Sequence, residues 1–182
     1  MSARLTLADM ARDLNRPVVY LMGLQRRFEL PVFEGAAYTK AYLAFLRTVV
    51  HLRVLGVSED MLLDLWRTEK HLLQLMHHDN PRSSTWFLDE CGKTGHAERR
   101  LLLTHHDMGP EFAHRMIQPH LDFDPGANSL FSHKEAGDDE IRVLRRYRKL
   151  LVAIQSAADA EAPLLRAALH WLPRLRSARA GD

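Results

Sequence analysis

The sequence predicts a mainly α chain made of a four-helix N-terminal head, a small β-hairpin insert and a C-terminal helical segment. Three observations predict it. Apolar residues recur at helical spacing from Leu7 to Leu73, and capping and stop residues divide that stretch into four pieces. The helical period is interrupted after Asn80-Pro81 and returns at Asp138. The expected division is therefore residues 1–80 for the head, 81–137 for a hairpin and loop region without an assigned role, and 138–182 for C-terminal helices that are candidates for dimerisation.

The head reads element by element. Thr6 with Asp9 three residues on is a capping box, and Leu7, Met10, Ala11 and Leu14 follow on one face of a short first helix. Asn15-Arg16 breaks the pattern, and Pro17 stands at the first position of a second helix, where its missing N–H costs nothing. Val18, Leu21, Gln25 and Phe28 share one face of that helix, which ends at Glu29-Leu30-Pro31. Two short helices with a tight turn between them form a helix-turn-helix arrangement, whose second helix can lie in a DNA major groove. Thr39 is the expected N-cap of a third helix carrying Tyr42, Phe45, Leu46, Val49 and Arg53, with Gly56 as its stop. Ser58 caps the fourth, in which Glu59 and Asp60 suit the positive end of the helix dipole. Met61, Leu62, Leu65, Trp66, Leu72, Leu73 and Met76 give it a broad apolar stripe.

Beyond the head, Trp86-Phe87-Leu88 and Leu101-Leu102-Leu103 read as two strands around a Gly92-to-Gly95 turn. From Asp138, Leu144, Tyr147, Leu151, Ile154 and Ala158 recur at coiled-coil-like spacing, opposite Arg142, Arg145, Arg146 and Lys149. Pro163 separates this helix from a last one with Leu164, Leu165, Leu169 and Trp171.

In order, Leu7-Ala8-Asp9-Met10-Ala11, a turn, a helix ending in Leu30-Pro31, Tyr38-Thr39 opening a helix, and the joint Leu52-Arg53-Val54-Leu55-Gly56-Val57-Ser58 before a leucine-rich helix resemble the MerR family of transcription regulators. The joint is the most specific piece, and the resemblance covers under half the chain. It implies a winged helix-turn-helix head, double-stranded DNA as partner, and a homodimer whose two recognition helices stand ~34 Å apart. The residues placed at DNA are Arg16 at the turn, Tyr20 on the second helix, Gln25, Arg26 and Arg27 toward its end, and Tyr38, Thr39 and Lys40 at the start of the third. Arg suits bidentate contacts to phosphate or guanine, and Tyr and Gln can bond backbone or base edges. Two departures stand beside the matches. Met22-Gly23-Leu24 occupies the middle of the second helix, where the family carries an Arg and aromatics, and Gly35-Ala36-Ala37 replaces a basic wing.

Composition bounds the rest. Hydrophobic residues at 46% and charged residues at 26% fit a globular chain, and a net charge of +2 does not by itself select nucleic acid. A lone Cys91 permits no intramolecular disulfide, which favours a cytoplasmic setting. Arg4, Asp9, Arg12 and Asp13 interrupt the start, so no signal peptide is expected, and no run is long enough for a membrane span. His96, His105, His106, His114, His120 and His133 lie near Cys91, Asp107, Asp122 and Asp124 without a metal-ligand spacing, so neither a metal nor another cofactor is expected. Ser129 or Ser132 beside His133 is no catalytic pattern, and no enzyme is expected. The leading expectation is a DNA-binding regulator. The alternatives are a protein-interaction module using Met22 and Leu24 as an apolar patch, and a ligand or metal sensor built on the histidine-rich middle.

Overall fold

A computed structural model describes residues 4–75, 100–107 and 138–157. Within them the chain is mainly helical, with five helices: α1 (Leu7–Asp13), α2 (Val18–Arg27), α3 (Lys40–Val54), α4 (Glu59–Leu75) and α5 (Asp138–Ala157). The linker at Asn80-Pro81, the first hairpin strand with its glycine turn, and the helix after Pro163 lie outside the described residues, as do Met76 and Ala158.

Local chemistry sets the ends of the first four helices. Asp9 N–H donates to Thr6 Oγ1 at 3.1 Å and Thr6 N–H to Asp9 Oδ2 at 3.0 Å, which is the capping box expected of this sequence. Pro17 is the N-cap of α2 and Val18 its first residue, one position from the expected boundary. Thr39 Oγ1 accepts from Tyr42 N–H at 3.0 Å, and Ser58 Oγ accepts from Met61 N–H at 3.2 Å. The three connecting turns share one device. Arg16 N–H returns to Ala11 O, Leu30 N–H to Gln25 O and Val57 N–H to Leu52 O, at 3.0, 2.8 and 3.0 Å. These are Schellman closures, which require a left-handed residue just past the helix. Asn15, Glu29 and Gly56 take that conformation, with φ of 51°, 51° and 92°.

The head's core forms where the four helical stripes meet. Met10, Leu21, Leu24, Phe28, Phe45, Leu46, Leu62, Leu65 and Trp66 are buried together. Phe45 stands edge-on between Phe28, at 6.1 Å, and Trp66, at 4.8 Å. Trp66 Nε1–H donates to Phe28 O at 3.0 Å, so the largest core side chain also satisfies a carbonyl left over at the end of α2.

The second half of the core depends on a group that the apolar pattern of α4 does not reveal. Glu69 is fully buried among the leucines of that helix. Its Oε1 accepts from Leu103 N–H at 2.9 Å and from the Tyr147 hydroxyl at 3.0 Å, while Oε2 accepts from Thr104 N–H at 2.9 Å. Tyr147 Oη in turn accepts from Leu102 N–H at 3.0 Å. One carboxylate thus joins α4, the segment 100–107 and α5.

This corrects the reading of Leu101-Leu102-Leu103 as a strand. These residues form a buried turn closed by His105 N–H to Leu101 O at 3.1 Å and Leu101 N–H to His106 O at 2.8 Å. The Leu102 and Leu103 amides face the phenol and the carboxylate, so they are unavailable to a strand ladder; the three leucines satisfy the hydrophobic pattern of a strand without its hydrogen bonding. The turn also docks on α3, where His105 Nε2 meets Thr48 Oγ1 at 2.9 Å. Burial, and next the nearby Arg100 charge, hold the His105 imidazole below its ordinary value.

α5 runs antiparallel to α4. The Ala157 carbonyl lies beside Gly56, and Arg146 bonds Asp64 at 3.0 Å. Val143, Leu144, Tyr147, Leu151 and Ile154 are buried in the chain's own core. The stripe that the sequence offers for packing or dimerisation is therefore packed on α4 and the turn at 101–104 within a single chain.

Burial pushes the Glu69 carboxyl up to about 7, against the three donors that favour its charged form. The native protein then holds a proton that the unfolded chain, with a carboxyl near 4.5, has released. This contribution is full below about pH 4.5 and is lost as the pH rises toward 7. The unfolding free energy of the native chain relative to Glu69→Gln is expected to decline across that window in urea titrations. A pH-independent difference would show that Glu69 stays ionised throughout. Glu69→Ala, which leaves buried amides unpaired, is expected to cost about 2–4 kcal/mol.

Candidate nucleic-acid interface

The turn before α2, α2 itself and the start of α3 place the eight proposed contact residues in three different situations. Arg16, Tyr20, Arg26, Arg27 and Lys40 are exposed, Thr39 is half-buried, and Gln25 and Tyr38 are buried. The helical period explains the division. Leu21, Leu24, Gln25 and Phe28 fall on the inner side of α2, leaving Val19, Met22, Gly23 and Arg26 on the outer side.

Gln25 and Tyr38 are corrections to the expected contact set. Gln25 Nε2 donates to Tyr38 Oη at 3.1 Å and to Tyr42 Oη at 3.0 Å. Tyr38 Oη also accepts from Phe33 N–H and donates to Phe33 O, at 3.0 and 3.1 Å, and Tyr42 Oη donates to Pro31 O at 2.9 Å. Edge-on contacts among Phe33, Tyr38 and Tyr42 fill the space around them. Burial pushes the Tyr42 hydroxyl well up, so this network stays protonated. Its task is to fasten the connection at 31–38, and with it the start of α3, to the inner side of α2. The Tyr38 backbone completes the joint by exchanging both hydrogen bonds with Leu5, at 2.9 and 3.0 Å.

The outer face of α2 begins on a positive footing. No acidic residue occupies its first turn. Its N-terminal N–H groups and dipole therefore favour an anion without an internal competitor. Arg16 sits just before it, with its guanidinium 6.0 Å from the Tyr20 ring centroid, which orients both side chains at the helix entrance. Arg26 and Arg27 lie in the last turn. The Arg27 guanidinium is engaged by both carboxylate oxygens of Glu59, a hydrogen bond and charge that raise its pKa further, so Arg27 ties α2 to α4. Arg26 is left as the outward cation at that end. Lys40 is the exposed first residue of α3, and Thr39 is committed to capping it.

Between the cations the face is apolar. Val19 is 77% and Met22 54% exposed, while Leu24 is only 4% exposed, so the apolar patch expected from Met22 and Leu24 together is divided between surface and core. Gly23 lies between them, and a Cβ there would meet nothing within 4 Å. Internal packing therefore gives no reason for a glycine in the middle of this helix, where alanine is better by ~1 kcal/mol.

Among the described residues, no group of three or more His, Cys, Asp or Glu side chains could hold a metal ion. Of the histidines noted in the sequence, only His105 and His106 lie within the described residues, as does Asp107; Cys91, Asp122 and Asp124 lie outside them. No described helix is long and apolar enough to cross a membrane. A scan against protein-family models and searches of curated proteins and of solved structures find nothing that matches this chain.

Gln25→Ala should lower the unfolding free energy by about 2–3 kcal/mol, because it opens a cavity and removes the shared donor of two buried phenols. Arg26→Ala should leave it within about 0.5 kcal/mol. Urea denaturation of the two variants measures both, and equal effects would contradict the division of α2 into inner and outer sides.

Proposed function

We propose that the chain is a DNA-binding transcription regulator that presents α2 to the major groove, in the manner of the MerR-like winged helix-turn-helix that its sequence resembles. The observation carrying this reading is the outer face of α2: a rigidly backed helix, free of acid at its positive end, with Arg16 before it and Arg26 at its far end. The apolar middle is compatible with a groove. Val19 and Met22 can contact thymine methyl groups, and Gly23 lets backbone approach base edges or sugar closely. The contact set becomes Arg16, Tyr20, Arg26 and Lys40, with Thr39 capping α3 and Arg27 acting through Glu59 as a strut. A homodimer with two such helices belongs to the same proposal; its contact surface would lie outside the α5 stripe.

A second reading has its own support. Val19, Met22 and Val32 are exposed, with Gly35-Ala36-Ala37 nearby in sequence in place of a charged wing. An interaction module that docks a protein through this face would use the same apolar centre and would not need the cations.

Salt dependence separates the two readings. Fluorescence titration with random duplex DNA should give affinity that falls linearly in log–log form with salt. Arg16→Ala with Arg26→Ala should reduce the slope by about 2, near 0.9 for each phosphate that is no longer neutralised. Gly23→Ala should raise the melting temperature while weakening binding. If the native chain ignores duplexes at low ionic strength, the regulator reading is lost and the docking module takes its place.

A further inference from the structure

On the helical period, the uncovered side of α2 carries Val19, Met22, Gly23 and Arg26 in one stripe, with Tyr20 at its edge. The stripe has no Asn, Gln, Ser or Thr. The one side chain of that kind in α2, Gln25, is 1% exposed and directs its amide nitrogen at the Tyr38 and Tyr42 hydroxyls.

That composition limits how the helix can tell one base pair from another. The major groove distinguishes bases by paired donors and acceptors and by the pyrimidine methyl group. Paired hydrogen bonds require an amide, a carboxylate or a guanidinium, and on this stripe only Arg26, in the last turn, carries one. A recognition helix meets base edges chiefly with its N-terminal residues. Here that half of the helix presents Val19, 77% exposed, and Met22, 54% exposed. Both are apolar, and the thioether chain of Met22 adapts to the shape it meets. Gly23, one turn on from Val19, has open space where a side chain would stand, so the stripe is lowered beside them and a methyl group can reach the helix.

We propose that α2 selects its sites by the methyl groups of 5-methylpyrimidines in the major groove, an inference that rests on the regulator reading above. Val19 and Met22 are the specificity-determining side chains, and Arg16 and Arg26 hold backbone phosphates whatever the sequence. The ligand is duplex DNA bearing thymine or 5-methylcytosine, which carry the methyl group at the same ring position.

Random duplex pools made with thymine or deoxyuridine, and with cytosine or 5-methylcytosine, test this in fluorescence titrations of the full chain at low ionic strength. The native chain should bind a methyl-bearing pool more tightly than its unmethylated counterpart, by about fourfold for each methyl group buried. A gain in one pair of pools only identifies that base as the source. Val19→Ser with Met22→Ser should abolish the preference and keep the salt slope, with circular dichroism native. Arg16→Ala should weaken binding to every pool and keep the preference. Equal affinity of the native chain for methylated and unmethylated pools overturns the methyl readout while the regulator reading stands. A preference that survives in the paired serine variant overturns the assignment to Val19 and Met22. If no pool is bound, the regulator reading and this inference fall together.

Discussion

Removing a carboxylate from water costs several kcal/mol unless donors replace the lost hydration, and Glu69 meets that condition with groups from two other parts of the chain. The Leu103 and Thr104 amides and the Tyr147 hydroxyl surround it, and Tyr147 is itself held by the Leu102 amide. Neither the turn at 101–104 nor the register of α5 on α4 is fixed by hydrophobicity alone, because leucines can slide past leucines at little cost. The carboxylate accepts only one arrangement of its donors. Burial of Val143, Leu144, Leu151 and Ile154 supplies area, and Glu69 selects the register in which that area is buried.

A different polar group does comparable work for the head. Gln25 has a side-chain amide aimed at two phenols, and each phenol returns a hydrogen bond to the connection at 31–38. α2 is thereby backed along its inner side by Gln25 and closed at its end by Trp66 on the Phe28 carbonyl. Arg27 on Glu59 braces it from the side. A helix of ten residues is too short to be stable alone, and these contacts explain how it can leave its outer face uncovered.

Legibility in the sequence follows the kind of interaction involved. Caps and stops are readable because they are local: Thr6 with Asp9, Thr39, Gly56 and Ser58 act within a few residues of themselves. The apolar stripes of α3, α4 and α5 are readable for the same reason. Gln25 is half legible. The same spacing that places it with Leu21 and Phe28 on the inner face argues against giving it to a polyanion, and Tyr38 carries no such signal because its partners lie in other elements. Glu69 is not legible at all, since its donors stand 34, 35 and 78 residues away and a lone acid in an amphipathic helix reads as a solvent-facing residue. Leu101 to Leu103 show the converse limit. Three consecutive leucines announce burial, but only the direction of their amides distinguishes a turn from a strand.

Those long separations bear on how the molecule assembles. Contacts within the head close short loops, whereas the partners of Glu69 must be gathered across much longer stretches of chain at a greater entropic cost. During synthesis α1 to α4 emerge first, with the Glu69 carboxylate still hydrated and ionised, and its dehydration waits for the later segments to arrive. The acid at the centre of the finished core is thus, until the turn at 101–104 and α5 arrive, a hydrated charge on the leucine-rich face of α4.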